Sequence, residues 1–139
     1  MSQPEETQII INWLDEISRT ISEKNLEDHM ALVSPKVVVY GNPSKDTINF
    51  AGWYKRRKNE FDKNSVVCVS YAGTRIKTIA QRRIIFNVNE SIVGTGGRVL
   101  LMNKDVTLER EEDDCWRVVE EKIHNWKQQK MDEAMASNG

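Results

Sequence analysis

His124 is the side chain best suited to acid–base chemistry in this 139-residue chain. Imidazole changes its charge near neutral pH, so a histidine in a pocket can act as a general base or acid. His124 lies two residues before Trp126 in a strand-like segment, so both side chains point to the same side, together with Glu120 and Lys122. Alternation does not say which side that is. It is either the lining of a pocket, where His124 would move a proton, or an outer surface, where it would join a subunit interface.

Aromatic side chains and one arginine could form a binding site. Four aromatic residues are candidates for a pocket that takes a flat apolar ligand: Tyr40, Trp53, Tyr71 and Phe86. They could equally fill the core. Arg57 lies on the apolar face of a predicted helix, where a buried guanidinium needs a carboxylate partner or an anionic ligand. The alternative is a surface arginine whose stem packs on the helix while its head reaches water.

Metal and nucleophile motifs are not visible in the sequence. With only His29 and His124, a multi-histidine metal site is excluded, and two cysteines cannot complete a four-ligand zinc site. We expect Cys68 and Cys115 to be buried thiols, because free cysteine packs as a small hydrophobe. The sequence has no Ser-His-Asp, Cys-His or HExxH arrangement. We therefore expect neither a metal nor a cofactor.

The charge balance argues against nucleic acid and membrane as partners. Twenty Lys and Arg stand against 21 Asp and Glu, for a net charge of -1, so no long-range positive field is present. The basic run at 55–58 fans around its helix and cannot face one groove. The first residues carry acids where a signal peptide carries bases, and the apolar runs are too short to span a bilayer. We expect a soluble, cytoplasmic protein.

Three helices are predicted in the first half of the chain. The first, over about 4–24, has an apolar face formed by Ile10, Trp13, Leu14, Ile17 and Ile21. Asn25 can cap a short second helix, which Pro35 would end, and a buried strand follows from Val37 to Tyr40. The third helix, over about 49–62, has a face formed by Phe50, Trp53, Tyr54, Arg57 and Phe61. Its other side chains, Lys55, Arg56, Lys58 and Glu60, should point elsewhere.

The second half of the chain predicts four long antiparallel strands, at about 65–78, 82–93, 98–110 and 115–126. Apolar residues alternate along the third of them, at Leu100, Met102, Val106 and Leu108. Strands this long must twist and curl, with bulges or a glycine such as Gly73 absorbing the bend. A curled sheet has a hollow side, which the first and third helices can cover. We predict an α+β fold in which N-terminal helices pack on a highly curved antiparallel sheet, with a single domain over 1–130 and a C-terminal tail over 131–139.

The element order resembles the nuclear transport factor 2-like superfamily, which includes ketosteroid isomerases and SnoaL-like polyketide cyclases. Met30–Gly41 looks like the join from helix to first strand, and Gly52–Tyr54 opens a helix at the right distance. Val106–Arg110 and Trp116–Glu120 resemble the final hairpin. The resemblance implies a cone-shaped sheet with an internal cavity. It also implies a homodimer, since many members pair through the outer face of the sheet.

The resemblance does not extend to the catalytic residues of the ketosteroid isomerases. Ketosteroid isomerases use an aspartate before a proline as the base, and Asn42 and Pro43 occupy that place here, where an amide cannot take a proton. Their tyrosine oxyanion donor lies on the first helix, where this chain has Trp13, whose indole N–H is not acidic. A steroid-isomerase mechanism is therefore not expected. Other branches use different acidic or histidine positions, for which Asp46 and His124 are the nearest candidates.

The sequence thus predicts a small-molecule-binding domain whose ligand is apolar or weakly anionic. The expected ligand-binding residues are Trp13, Ile17, Tyr40, Trp53, Arg57, Tyr71, Phe86 and Met102. Two alternatives stay open. One is a cofactor-free isomerase, cyclase or dehydratase, and the other is an assembly domain that works through its exposed sheet face.

Overall fold

A computed structural model describes residues 3–44 and 46–130. Within these residues the chain forms three helices and five strands. In chain order they are α1 (Gln3–Glu23), α2 (Leu26–Met30), β1 (Val33–Tyr40), α3 (Phe50–Lys63), β2 (Val66–Ala80), β3 (Arg83–Gly94), β4 (Arg98–Arg110) and β5 (Trp116–Lys130). The predicted tail over 131–139 lies outside the described residues. None of the helices described here has both the length and the apolar character that crossing a membrane requires.

The apolar face of α1 is buried, as its spacing predicts. Ile10, Leu14 and Ile17 are all in the core, and Glu5 and Glu6 complement the positive end of the helix dipole. The indole Nε1 of Trp13 donates to the carbonyl of Leu32, 3.1 Å away. This bond holds α1 against the segment that leads into β1.

Side-chain caps fix the limits of the other two helices. Asn25 accepts a hydrogen bond from the backbone N–H of Asp28 at the start of α2, and Asn49 accepts one from Gly52 at the start of α3. Asn64 ends α3 in the left-handed conformation, with φ of 56°. The prediction that Glu60 points away from the Arg57 face is wrong. The three-residue spacing puts Glu60 beside Arg57, and the two form an ion pair at 2.5 Å.

The sheet has the strand order β1-β5-β4-β3-β2 and does not close. Neighbouring strands are antiparallel except β1, which runs parallel to β5. β1 starts at Val33, four residues before the predicted strand, and includes Pro35; an edge strand tolerates the missing N–H. The β2–β3 register shifts between Ala72 and Arg75, where Gly73 has φ of 67°. The predicted bend at this glycine is thus present.

The two faces of the sheet differ sharply. Ile84, Phe86, Val88, Val106 and Leu108 point inward and are fully buried. The outer face carries a ladder of amides, in which Asn103 bonds to both Asn87 and Asn89. The prediction of two buried cysteines is wrong for Cys115, which is exposed because it lies at the hairpin tip before β5, and Cys68 is half-buried.

Candidate functional site

A cavity of about 110 Å³ lies between α3 and the inner face of the sheet. Its apolar lining is Val39, Pro43, Ile48, Trp53, Ile92, Leu100, Met102 and Ile123. Its polar lining is Asn42, Arg56, Arg57, Glu60, Glu90, Lys104 and Glu121. Ligand pockets for drug-sized molecules usually span ~300–1,000 Å³, whereas an apolar cavity of ~150 Å³ accepts benzene. The cavity therefore suits a molecule no larger than a small ring.

Three adjacent strands bring a charged cluster to the wall of this cavity. Glu90 comes from β3, Lys104 from β4 and Glu121 from β5, each at an inward position of its strand. The Lys104 Nζ lies 2.9 Å from Oε2 of Glu90 and 3.0 Å from Oε1 of Glu121. The three residues are only 3%, 5% and 4% exposed. One buried ammonium is thus shared between two buried carboxylates, and we call these three residues the charged cluster.

The environment pushes the pKa values of the two carboxyl groups apart. Burial raises the pKa of Glu121, and the Glu90 carboxylate raises it further, although Lys104 opposes both. Burial also acts to raise the pKa of Glu90, but Lys104 and a hydrogen bond from Tyr71 bring it below its usual range. Such a split separates a carboxyl group that stays ionised from one that can hold and release a proton.

Tyr71 and Arg57 extend the cluster. Burial and the nearby Glu90 charge raise the pKa of Tyr71 well above its usual value, so its hydroxyl stays protonated and donates to Glu90. The Arg57 guanidinium pairs with Glu60 and lies 5.9 Å from the centre of the Trp53 ring. Tyr71 thus contacts the charged cluster directly, and Arg57 lines the same cavity.

Behind Arg57 lies a buried histidine with a defined tautomer. His29 is fully buried, and its Nε2 accepts from Trp53 Nε1 at 3.0 Å and from Arg57 Nε at 3.3 Å. Because both partners can only donate, the proton of neutral His29 is on Nδ1, which donates to Thr20 Oγ1 at 3.0 Å. Thr20 in turn donates to the carbonyl of Glu16. Burial and the Arg57 charge lower the pKa of His29 to about 3, which keeps it neutral.

Known proteins resemble this chain in structure and not in sequence. The sequence matches no protein-family model, and no curated protein is similar to it in sequence. Among solved structures, a protein of unknown function from Shewanella oneidensis is similar with a TM-score of 0.72 and 11% identity, over 85% of this chain and 98% of that one. That protein is described as NTF-2 like. This chain has the nuclear transport factor 2-like fold.

Two further structural neighbours bear the names of enzymes. A proposed scytalone dehydratase from Novosphingobium aromaticivorans has a TM-score of 0.69 and 12% identity, over 91% of this chain and 89% of that one. The hexachlorocyclohexane dehydrochlorinase LinA-type3 from Novosphingobium barchaimii has a TM-score of 0.67 and 8% identity, over 92% of each chain. At these identities the similarity is one of fold.

In this nuclear transport factor 2-like fold, the turn after β1 forms one side of the cavity. Asn42 is buried at this turn, where its Oδ1 accepts from the backbone N–H of Ser44 at 3.0 Å and its Nδ2 donates to the carbonyl of Asp46. The amide thus organises the turn, with its hydrogen bonds directed to its own loop. The side chain of Asp46 is exposed and is not among the residues that line the cavity.

The predicted ligand-binding residues fall into three places. Trp53, Arg57 and Met102 line the cavity, and Tyr71 reaches Glu90 beside it. Trp13, Ile17 and Phe86 are buried in the core and do not line it. Tyr40 is 42% exposed near the end of edge strand β1.

His124 lies on the outer face of the sheet, away from the cavity. Its Nε2 is 3.0 Å from Oδ2 of Asp105, which also pairs with Lys77 at 2.7 Å and accepts from Asn87 at 2.9 Å. Of the two sides considered for His124, the structure has the outer one. Asp105 keeps a pKa of about 2: burial acts to raise it, but the bonds from Lys77, Asn87 and His124 prevail.

Sequence reasoning missed the charged cluster, although the sequence contains its signal. Glu90 continues the inward series of Ile84, Phe86 and Val88 at two-residue steps. Lys104 likewise falls between Met102 and Val106 in the series of β4. A charged residue at an inward position of a strand is a candidate for a buried ion pair or a site.

Proposed function

We propose that this protein binds a small, largely apolar molecule with one polar group in the cavity, and that the charged cluster contacts the polar group. The observation that carries this proposal is the burial of Lys104 between Glu90 and Glu121 at the wall of a cavity whose other lining residues are mostly apolar. A buried ion pair is often no more stable than apolar residues of the same volume. A use in recognition therefore explains its presence better than a contribution to stability.

A thermal-shift screen with a cavity-filling variant tests the proposal. Compounds with about four to eight non-hydrogen atoms are screened, because a ligand that binds only the native state raises the melting temperature. Ile92→Trp places an indole in the cavity and should abolish the shifts. Ile11→Trp makes the same change on the exposed face of α1 and should leave them unchanged. Absence of any hit that Ile92→Trp removes would contradict binding in the cavity.

Proton transfer without a cofactor is a second candidate function. It is supported by the opposite pKa directions of Glu90 and Glu121, which suit one carboxylate to electrostatic stabilisation and the other to proton exchange. Neighbours named as a dehydratase and a dehydrochlorinase share the fold. Each hit is incubated with the protein and followed by NMR. For a neutral hit, turnover should be lost in Glu121→Gln while the thermal shift is kept, and unchanged turnover in that variant would rule out Glu121 as the proton carrier.

We also propose that two copies pair through the outer face of the sheet. Among the described residues, the helices pack on the inner face and leave the amide ladder and the half-buried Leu101 beside it on the outer face. The amide oxygens of Asn87 and Asn103 each keep a lone pair that can accept from a second copy, whereas their N–H groups are used within the ladder. Location in the cytoplasm stays a prediction.

A further inference from the structure

The buried charges around the cavity do not balance. Three carboxylates line it, from Glu60, Glu90 and Glu121, against the two partly or fully buried cations Arg57 and Lys104. Glu60 is paired with Arg57, which leaves Lys104 to serve two carboxylates. Arg56 also reaches the rim, but it is exposed to water and its charge is screened. With all three carboxyl groups ionised, the interior of the cavity therefore has one negative charge in excess.

An excess buried charge is costly and calls for a counter-charge. A proton on Glu121 supplies one when the cavity is empty. A cationic ligand supplies one when the cavity is filled, and its apolar part would then contact side chains such as Ile92, Leu100 and Ile123. An anionic ligand would add a second negative charge beside Glu90 and Glu121. The charges of the cavity thus favour a cation over the weak anion that the sequence alone predicts.

We propose that the cavity selects small organic cations, of the class of a short branched alkylammonium ion, and that the excess negative charge on Glu121 provides the selection. This inference rests on the proposed function, since it names the ligand class of the same site. Glu121 is faced by Lys104 from β4, Glu90 from β3, Arg57 from α3 and Tyr71 from β2. Among these groups, only Glu90 is also negatively charged. In the proposed complex, the carboxylates of Glu90 and Glu121 therefore both contact the ammonium group of the ligand.

The selection should depend on pH. A proton on Glu121 removes the excess charge, so binding of an ammonium ion competes with that proton. As the pH rises through the titration of Glu121, the affinity for the cation should increase, whereas the affinity for a neutral ligand should not. The raised pKa of Glu121 is in agreement with this direction.

Three probes of one shape test the inference: isobutylammonium, isobutanol and isobutyrate. Each is titrated into the full ¹⁵N-labelled chain, and the dissociation constant is read from the amide signals of Ile92, Lys104 and Ile123. We expect the ammonium ion to bind at least about tenfold more tightly than the alcohol, and the carboxylate most weakly. Glu121→Gln should reduce this preference to within about threefold and remove its pH dependence. Glu109→Gln, which removes a carboxylate that pairs with Lys36 and Arg83, should leave the preference unchanged.

Two results would overturn the inference. One is equal or tighter binding of isobutanol or isobutyrate, and the other is failure of isobutylammonium to bind at any pH. In both cases, screening hits that Ile92→Trp removes would still support ligand binding in the cavity. If the screen finds no hits of this kind either, the proposed function itself has failed.

Discussion

At the scale of single residues, the proton on His29 decides how Arg57 is held in the cavity wall. Trp53 and Arg57 both donate to the same nitrogen of His29, so that nitrogen must be free of a proton. A protonated imidazole would lose both bonds and place a second cation beside the guanidinium. Native packing is therefore compatible only with neutral His29.

This requirement predicts a loss of stability in acid. The pKa of His29 is about 3 in the native protein, lowered by burial and by Arg57, against an ordinary value of 6.5 when unfolded. As the pH falls below about 6.5, the unfolded chain takes up the proton first, so the free energy of unfolding falls until the native pKa is reached. The expected slope from this group approaches ~1.4 kcal/mol per pH unit.

Urea unfolding between pH 7 and pH 4 measures that slope, with His29→Gln as the comparison. Glutamine can accept from Trp53 and Arg57 and donate to Thr20, yet it does not titrate. The variant should unfold with a clearly shallower pH dependence, while carboxyl groups such as Asp105 contribute equally to both proteins. Parallel curves for the two proteins would show that His29 does not titrate as its surroundings indicate.

Residue patterns predicted the core better than the site. The three- and four-residue spacing of Ile10, Leu14 and Ile17 identified the buried face of α1, because burial of an apolar stripe needs only local periodicity. The charged cluster depends on contacts between residues 14 and 17 positions apart, which no local pattern contains. Period-two alternation along β3 and β4 is nevertheless consistent with inward positions for Glu90 and Lys104, a signal that our sequence analysis did not use, whereas Glu121 lies beyond a register shift in β5.

At the scale of elements, bulges explain why the faces of β5 could not be read from the sequence. The register with β4 shifts twice, between Asn103 and Lys104 and again between Thr107 and Leu108. Each shift inserts a residue and exchanges the faces of the strand beyond it. Val118 is therefore buried, while His124, the extra residue of the shift opposite Asn103 and Lys104, lies on the outer face.

Gly41 joins β1 to the turn that forms one side of the cavity, and its substitution should be costly. Its φ is 79°, and a Cβ added there would overlap the carbonyl oxygen of Ile123. Gly96 has a φ of 83°, and a Cβ added there would meet no atom within 4 Å. Substitution of Gly96 therefore causes the same backbone strain as substitution of Gly41, but no steric clash.

Gly41→Ala should therefore destabilise the protein more than Gly96→Ala. Both variants carry the cost of a left-handed residue, ~1–2 kcal/mol, and Gly41→Ala adds a clash worth ~1–3 kcal/mol. Chemical denaturation of the two variants measures the difference directly. Equal losses would mean that β1 and β5 can separate at Ile123 without cost.

At the scale of the whole molecule, the strong curl of the sheet divides the interior into two parts. Phe86, Ile84 and Leu108 form the apolar part together with the buried face of α1. The cavity and the charged cluster occupy the other part, under α3. Long strands and amphipathic helices made this hollow predictable from the sequence, because a curled sheet and single apolar stripes leave few other arrangements. The charge inside it was not predictable, since its balance depends on five side chains from four elements.

The outer face of the same sheet yields the last prediction, which concerns assembly. If two copies pair there, Leu101→Lys should convert the dimer to a monomer. The two-fold symmetry of such an interface places two unpaired ammonium groups in it, one from each copy. Ile11→Lys makes a comparable change on the exposed face of α1 and should leave the dimer intact. Sedimentation equilibrium gives the mass of each protein in solution. A monomer mass for the unmodified protein would contradict pairing through the sheet. A dimer that survives Leu101→Lys and not Ile11→Lys would contradict it as well. The charged cavity would then have to work within one copy.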